Sequence, residues 1–323
     1  MLAAQILQYG EPVNLVIKEV PPPAPANGYE VVDVEAAGVN FHDVNVAANS
    51  FGQNTPLPHV PGAEVLGRLA NGSRVVAFCR TDGGFCERIA VPAKDVFPVP
   101  DEVGDLEALA MVVQGNTAWH VLHTMGHLGS GETVLVHAGA GGVGSLAVQL
   151  ARLAGARTVI ATASTAEKRD LAKELGADAV LDSDDGDLVE AIAELTAGQG
   201  VDLALESVGG AAFGASLRAL APLGRLVTFG VSGRTPPPLV NPRDLTRRNV
   251  TVAGFYLGSF PDLGQSTAML MSLLARGQLR VLGGGSYPLE RSSEALNALS
   301  SRRTSGKLVI RVASPPPADP TTH

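Results

Sequence analysis

Short apolar runs bounded by glycine, proline and asparagine dominate the first part of the chain. Runs at 31–36, 74–78 and 88–91 are typical of β-strands, because turn-forming residues close them at both ends. The proline-rich segment 21–25 suits neither a helix nor an inner strand, so we predict a surface connector there. Residues 1–113 are therefore expected to form a β-rich domain.

From about residue 114, strand-like and helix-like runs alternate. A strand pattern at 133–137 precedes a helical pattern at 143–154, and a strand at 158–161 precedes a helix at 165–175. The alternation continues to about residue 236 and predicts βαβ units around a parallel sheet with helices on both faces. The fold class is therefore α/β, with a Rossmann-type, doubly wound domain over residues 114–248.

The last part of the chain has a mixed pattern. It predicts a strand at 250–253, helices at 263–275 and 292–300, and a final strand at 307–312. This segment is too small for a core of its own, so residues 249–312 are expected to complete the N-terminal domain. The proline-containing end, 313–323, is expected to be a disordered tail.

Composition and charge narrow the class of protein. The 323 residues suggest about two domains. With 45% hydrophobic and 17% charged residues, the chain is not largely disordered. The net charge of −8 disfavours nucleic acid as a partner. No apolar stretch reaches the roughly 18 residues of a membrane span, and no secretion signal opens the chain, so a cytoplasmic protein without a membrane partner is expected.

A glycine-rich loop is the sharpest chemical signal. The spacing Gly139-x-Gly141-x-x-Gly144 follows an apolar strand and opens a helix, where it allows a tight turn, close approach of a pyrophosphate and close strand–helix packing. The helix N-terminus adds free N–H groups and a partial positive charge. We predict a dinucleotide site in which the diphosphate contacts Gly139, Ala140, Gly141, Gly142, Val143 and Gly144.

The end of the next strand bears on the choice of coenzyme. A site for NAD carries an acid there, whereas this chain has Ser164, followed by Lys168 and Arg169 in the next helix. A missing carboxylate with nearby cations favours a 2′-phosphate and hence NADP(H). The alternative is that Ser164 is only the helix N-cap and the cations are solvated; both roles are compatible, since a capped N-terminus is itself an anion site.

Several stretches, taken in order, resemble the zinc-independent medium-chain dehydrogenases/reductases of the quinone oxidoreductase (zeta-crystallin-like) type. They extend over nearly the whole chain, at 38–43, 61–64, 83–87, 114–118, 139–151, 168–178 and 224–230. The resemblance implies a GroES-like β-rich catalytic domain that the C-terminal segment completes, together with an inserted Rossmann domain.

The resemblance also implies roles for individual residues. It places Asn40 and Asp43 at the catalytic site, where the Asn40 amide can donate to a substrate carbonyl. For Asp43 the alternative is a structural acceptor of backbone hydrogen bonds. Arg302 matches an arginine that similar reductases bring to the 2′-phosphate. The remaining implied cofactor contacts are Thr117, Val208, Phe229 and Gly230.

Two departures from related proteins concern chemistry. Zinc-dependent relatives carry Cys at the place of Asn40 and His at the place of Ala63, and the two cysteines, Cys79 and Cys86, cannot replace those ligands, so we expect no metal. Many relatives carry a Tyr where this chain has Asn45, which leaves the source of a proton open.

These observations predict an NADPH-dependent oxidoreductase that reduces a quinone or an α,β-unsaturated carbonyl. Two alternatives stay open: a 2-enoyl thioester reductase, which normally needs a positioned proton donor, and a non-catalytic NADPH-binding protein. A homodimer is expected, because relatives pair the edge strands of their Rossmann domains and residues 250–255 have the β-branched content of such a strand.

Overall fold

The computed structural model describes residues 1–50, 54–184 and 187–312. The chain divides into two compact units, one formed by residues 1–113 with the chain from Gly283 onward, the other by residues 114–282. The α/β class is confirmed, with one β-rich unit and one unit built on a parallel sheet. The predicted tail, 313–323, lies outside the described residues.

The first unit begins with antiparallel strands. They are β1 (Leu2–Ile6), β2 (Leu15–Glu19), β3 (Tyr29–Val39), β4 (Glu64–Arg68), β5 (Arg74–Phe78), β6 (Arg88–Pro92) and β7 (Val96–Pro98), with helices α1 (Phe41–Ala48) and α2 (Asp105–Ala110). Strand β3 pairs with β4 and β6 and becomes fully buried toward its carboxyl end. Helix α1 begins directly after that end, so the last residues of β3 lead into the site described below.

The second unit is a parallel sheet with strand order β10-β9-β8-β11-β12-β13. Its strands are β8 (Thr133–Val136), β9 (Thr158–Ala163), β10 (Ala179–Asp182), β11 (Val201–Glu206), β12 (Leu220–Thr228) and β13 (Thr251–Gly254). Its helices are α3 (Asn116–His123), α4 (Gly142–Leu153), α5 (Ala166–Glu174), α6 (Leu188–Leu195), α7 (Gly210–Ala219), α8 (Pro242–Arg248) and α9 (Gly264–Ala275). Its apolar core includes Leu135, Ile160, Ile192, Phe213 and Leu226.

The chain then returns to the first unit through β14 (Gly283–Pro288), α10 (Ser292–Ser300) and β15 (Lys307–Arg311). Strand β15 pairs antiparallel with β3, with Leu308 opposite Val39. Leu296 of α10 and Ile310 of β15 are fully buried in the core of this unit. The returning segment therefore supplies both a strand and core side chains.

The prediction that all of residues 249–312 complete the N-terminal domain is wrong for 249–282. Strand β13 pairs parallel with β12 at the edge of the second sheet, with Thr251 opposite Arg225. Helix α9 is joined to α3 by buried hydrogen bonds, including Asn116 Nδ2 to Thr267 Oγ1 at 2.9 Å. Strand pairing and these buried polar contacts hold the segment in the second unit. Within the described residues, no helix has the length and apolarity to cross a bilayer.

Candidate functional site

The glycine-rich loop of the second unit joins β8 to α4. Gly141 is the N-cap of α4, with φ −79° and ψ 178°, and no side chain caps the helix there. A Cβ on Gly144 would collide with the carbonyl of Ala138, so α4 packs closely on the loop. The first-turn N–H groups of α4 are thus available to an anion, as a pyrophosphate site requires.

The loop is tied to its neighbours by contacts that only small residues permit. The Gly139 N–H donates to Thr162 O at 2.9 Å, and a Cβ at Gly139 would lie 2.8 Å from Ala161 Cβ. The side chain of Gln114 covers Gly142, where a Cβ would overlap its amide. In the sequence, Gln114 belongs to the stretch 114–118 that carries the family resemblance, and no local pattern indicates its contact with the loop.

The position of the loop in the sheet is that of a ligand site. From β8 the chain proceeds outward through β9 and β10 in one direction, whereas β11, β12 and β13 proceed in the other. The order of strands therefore reverses between β8 and β11. In parallel sheets of this kind, ligands bind beyond the carboxyl ends of the strands at that reversal.

The loops after β11 and β12 bring Val208, Phe229 and Gly230 together. Phe229 N donates to Glu206 O at 3.0 Å, and Gly233 N donates to Val208 O at 2.8 Å. The buried Glu206 carboxylate accepts the N–H groups of Val208 and Gly209 at 2.6 and 2.8 Å. Burial raises the pKa of Glu206, and these N–H bonds oppose that shift. The role of Glu206 in shaping this turn was missed in the sequence.

A buried histidine, His137, lies between β8 and the glycine-rich loop and contacts neighbouring elements of the second unit. His137 Nε2 lies 2.7 Å from Ser216 Oγ, and its Nδ1 lies 3.2 Å from Thr162 Oγ1. Burial lowers the pKa of His137 to about 4, so the ring is neutral at neutral pH. The ring therefore joins the end of β8 to β9 and α7 without adding charge.

The residues predicted to select the coenzyme lie after β9. Ser164 is exposed, but the N-cap of α5 is Thr165, whose hydroxyl accepts from Lys168 N; the alternative that Ser164 caps the helix is therefore wrong. Arg169 donates to Asp182 at 2.5 Å and so compensates the negative charge of this acid at the end of β10. Ser164 and Lys168 thus share one end of α5.

Two further predicted contacts lie elsewhere in the fold. Thr117 is buried in the first turn of α3, in the second unit. Arg302 belongs to the first unit, in an exposed turn after α10, where it has a left-handed backbone with φ 57°.

In the first unit, Asn40 and Asp43 lie at the start of α1. Asn40 is the N-cap and its N–H donates to Asp43 Oδ2 at 2.7 Å, while Gly62 N donates to Asp43 Oδ1 at 3.1 Å. Burial raises the pKa of Asp43 to about 7, although the nearby charge of His42 opposes the shift. Both carboxyl oxygens are occupied by backbone N–H groups, as expected of a structural acceptor.

A cluster of charged and amide groups surrounds the Asn40 side chain. Asn40 Nδ2 donates to Glu64 Oε1 at 2.8 Å, and the Lys307 ammonium donates to the same oxygen. Glu64 and Lys307 are fully buried, and Asn40 is 7% exposed. We call these three residues the amide cluster. The sequence contained one signal for it, a lysine directly before the apolar run 308–310 of the last strand.

Asp82 bridges two histidines near α1. His42 Nε2 lies 2.9 Å and His59 Nε2 lies 3.0 Å from its two oxygens. Burial would raise the pKa of Asp82, but its hydrogen bonds to the two histidines outweigh burial and lower that pKa. Burial would lower the pKa of His42, but the bond to Asp82 and its charge outweigh burial and raise that pKa. Both histidines are therefore hydrogen-bond partners of Asp82.

The donor set around Asn40 does not fit zinc. The Asn40 amide is held by Glu64 and Lys307, so its oxygen already accepts from a positively charged ammonium. Across residues 1–50, 54–184 and 187–312, no three or more His, Cys, Asp or Glu side chains form a group that could hold a metal ion. Zinc sites need three or four such ligands.

Comparison with known proteins finds relatives over nearly the full length. A family described as zinc-binding dehydrogenase matches residues 142–275. The human synaptic vesicle membrane protein VAT-1 homolog is 30% identical, covering 92% of this chain and 82% of that protein.

Two solved structures are also similar. A mycobacterial protein complexed with NADPH has 33% identity and a TM-score of 0.87, covering 96% of this chain and 100% of that one. The Escherichia coli quinone oxidoreductase complexed with NADPH has 29% identity and a TM-score of 0.90, with the same coverage.

Proposed function

The chain belongs to the quinone oxidoreductase-like medium-chain dehydrogenases/reductases, and we propose that it reduces a quinone or an α,β-unsaturated carbonyl with NADPH. The observation that carries the proposal is the N-terminus of α4, which no side chain caps and which lies where the strand order of the parallel sheet reverses. Similar structures bind NADPH, and this chain has the groups for the same cofactor.

We assign the cofactor's parts to different groups of the chain, most of them in the second unit. The N–H groups of the first turn of α4, at 142–144, bind the diphosphate, and the turn held by Glu206 binds the nicotinamide end together with Thr117. We assign the 2′-phosphate to Ser164 and Lys168 at the start of α5, and the resemblance adds Arg302 of the first unit. When bound, NADPH supplies the hydride, and the protein orients it.

We assign the binding of the substrate that accepts the hydride to Asn40 in the first unit. An amide N–H can donate to a carbonyl or quinone oxygen, and that bond strengthens as the oxygen gains negative charge. Asp43 keeps the start of α1 in place through its two backbone hydrogen bonds. The amide carries no acidic proton, so we assign the proton that completes the reduction to water.

We also propose that the reaction needs no metal. The support is that Asn40, which stands where zinc-dependent relatives carry a cysteine ligand, is bonded to Glu64 and Lys307, and that the Lys307 ammonium already supplies a positive charge. Turnover should survive dialysis against a strong chelator, and added Zn²⁺ should not raise it. Loss of turnover that only zinc restores would contradict this proposal.

The function is tested with a panel of acceptors. Purified protein should oxidise NADPH with quinones or enones, followed by the loss of absorbance of the reduced nicotinamide. Activity confined to enoyl thioesters would point to a thioester reductase. Tight NADPH binding without turnover of any acceptor would identify a binding protein and overturn the proposal.

We further propose a homodimer that forms through β13. This strand is the edge of the sheet, and an uncovered edge is a site of association. The mass in solution at micromolar concentration should be twice 33.2 kDa. Replacement of Val252 by Pro should reduce it to one chain, because proline cannot donate its share of the strand hydrogen bonds.

A further inference from the structure

The carboxylate of the amide cluster is saturated with hydrogen bonds. Glu64 Oε1 accepts from Asn40 Nδ2 and from the Lys307 ammonium, and Glu64 Oε2 accepts from Val113 N at 2.8 Å. A buried carboxylate needs such donors to remain charged. Both Glu64 oxygens accept hydrogen bonds and the side chain is 0% exposed, so Glu64 does not contact a substrate itself.

The ammonium of Lys307 is saturated as well. Its three acceptors are Glu64 Oε1, Asn40 Oδ1 at 3.3 Å and Val39 O at 3.4 Å, which match its three hydrogens. Lys307 is 0% exposed. Any effect of Lys307 on a substrate must therefore pass through Asn40.

The cluster allows only one orientation of the Asn40 amide. A carboxylate cannot donate and an ammonium cannot accept, so Nδ2 must face Glu64 and Oδ1 must face Lys307. One hydrogen of Nδ2 bonds to Glu64, and the other has no acceptor among the described residues. That second hydrogen is what the amide can offer to a substrate.

The backbone beside the cluster leaves no space for another arrangement. A Cβ on Gly38 would collide with both the Glu64 carboxylate and the Lys307 ammonium. The ion pair therefore lies directly against β3, and strands β15 and β4 hold its two halves on either side. Buried ion pairs give little net stability compared with apolar side chains of similar size, so stability alone is a weak reason for this pair.

We propose that Lys307, with Glu64, is a positioning residue that fixes Asn40 as a hydrogen-bond donor and polarises its amide. The inference rests on the proposed function and deepens it: the substrate must present an oxygen acceptor that gains charge as hydride is added. An ammonium on Oδ1 withdraws electrons from the amide and strengthens the N–H that remains. The site therefore selects carbonyl and quinone oxygens over groups that can only donate.

The test is a double-mutant cycle between the ion pair and Asn40. The ion pair is removed as a unit, with Glu64→Gln and Lys307→Met together, because Lys307→Met alone leaves a buried unpaired carboxylate. In the parent background, kcat should fall about tenfold to a hundredfold with little change in the dissociation constant of NADPH. In an Asn40→Ala background the same pair of changes should lower kcat less than twofold, because there is no amide left to position. Equal losses in both backgrounds would overturn the proposal.

A measurement without turnover completes the test. In ¹⁵N-labelled parent protein, the Asn40 side-chain amide, identified by its loss in Asn40→Ala, should exchange one hydrogen slowly and should shift when the ion pair is removed. Gly38→Ala should shift it too, since it displaces the pair without removing a charge. An amide that exchanges like an exposed one in the parent would overturn the positioning role. A parent that is inactive with every acceptor but keeps the protected amide would count against the proposed function alone.

Discussion

The amide cluster of the first unit and the glycine-rich loop of the second unit use different parts of the chain for chemistry. Around Asn40, charged side chains from β4 and β15 meet in full burial, and their hydrogen-bonding groups are almost all occupied. In the loop, backbone N–H groups carry the function, and side chains matter chiefly by being small. The amide cluster should therefore be sensitive to substitutions that change charge, and the glycine-rich loop to substitutions that add side-chain volume.

The first prediction concerns the removal of one charge from the amide cluster. Lys307→Met should lower the free energy of unfolding by about 3–5 kcal/mol, because it leaves Glu64 buried without its cation. Denaturant unfolding measures the loss. Adding Glu64→Gln should recover most of it, and a double variant as unstable as the single one would contradict this account.

A matched ion pair in the second unit serves as the control. Arg152 binds Asp178 through two bonds of 3.0 Å, and both side chains are partly exposed. Arg152→Met should cost about 1 kcal/mol or less, since water compensates exposed charges. Similar losses at Lys307 and Arg152 would remove the contrast between the two regions.

The second prediction concerns pH and Asp43. Its pKa is raised from 3.8 to about 7 in the folded protein, so the folded state binds the proton more tightly than the unfolded chain. The stability from this proton is fully present below about pH 4 and is lost as the pH rises to about 7. Over that window Asp43 should contribute a fall in the free energy of unfolding of about 1.4 kcal/mol per pH unit.

Asp43→Asn is the variant that isolates this contribution. Its unfolding free energy, measured in denaturant at several pH values, should lack the part of the slope that Asp43 supplies. The amide keeps an oxygen for only one of the N–H groups of Asn40 and Gly62, so the variant should be less stable at every pH, and the change of the slope with pH is the readout. An unchanged slope would show that Asp43 is ionised throughout.

The third prediction separates volume from ligand binding in the loop. Gly144→Ala should destabilise the protein by about 1–3 kcal/mol, because the added methyl group collides with the Ala138 carbonyl and pushes α4 away. At Gly141 a Cβ would lie 3.1 Å from Ala138 O, a tight contact but not a collision. Gly141→Ala should therefore cost under about 1 kcal/mol of stability.

For NADPH binding the order is reversed: the larger loss of affinity is expected for Gly141→Ala, not for Gly144→Ala. Gly141 is the N-cap of α4, so a methyl group there obstructs the approach of the pyrophosphate. Gly141→Ala should raise the dissociation constant of NADPH at least tenfold, as measured by fluorescence titration. If Gly141→Ala binds NADPH as the parent does, the loop is not the pyrophosphate site.

The loop could be predicted from sequence because its signal is local. Strand, glycines and helix follow one another within residues 133–153, and the alternation of strands and helices around them already specifies a parallel sheet. The strand pattern near residue 251 is equally local, but it does not say which sheet the strand joins. That choice depends on pairing with β12, and for this reason the boundary at residue 249 was wrong.

The amide cluster could not be predicted in this way. Lys307 and Glu64 are 243 positions apart, and the register of β3 between β4 and β15 brings them together. Asn40 was found by resemblance, but nothing in its neighbourhood shows which way its amide faces. Contacts set by tertiary pairing leave no periodic pattern in the chain.

The last prediction tests the coenzyme preference, where the second unit also depends on a charged side chain. Lys168 lies in the first turn of α5, near the exposed Ser164. Because Lys168 is partly exposed, a charge-assisted bond to a 2′-phosphate is expected at the lower end of the usual range, about 1.5 kcal/mol, so Lys168→Ala should weaken NADPH binding about tenfold. NADH lacks that phosphate, and its binding should not change. Lys173→Ala is the matched control, since it removes the same charge from the last turn of the same helix. Arg302→Ala should give the same selective loss as Lys168→Ala. Equal weakening of NADPH and NADH, or an equal effect of Lys173→Ala, would show that Lys168 does not bind the 2′-phosphate.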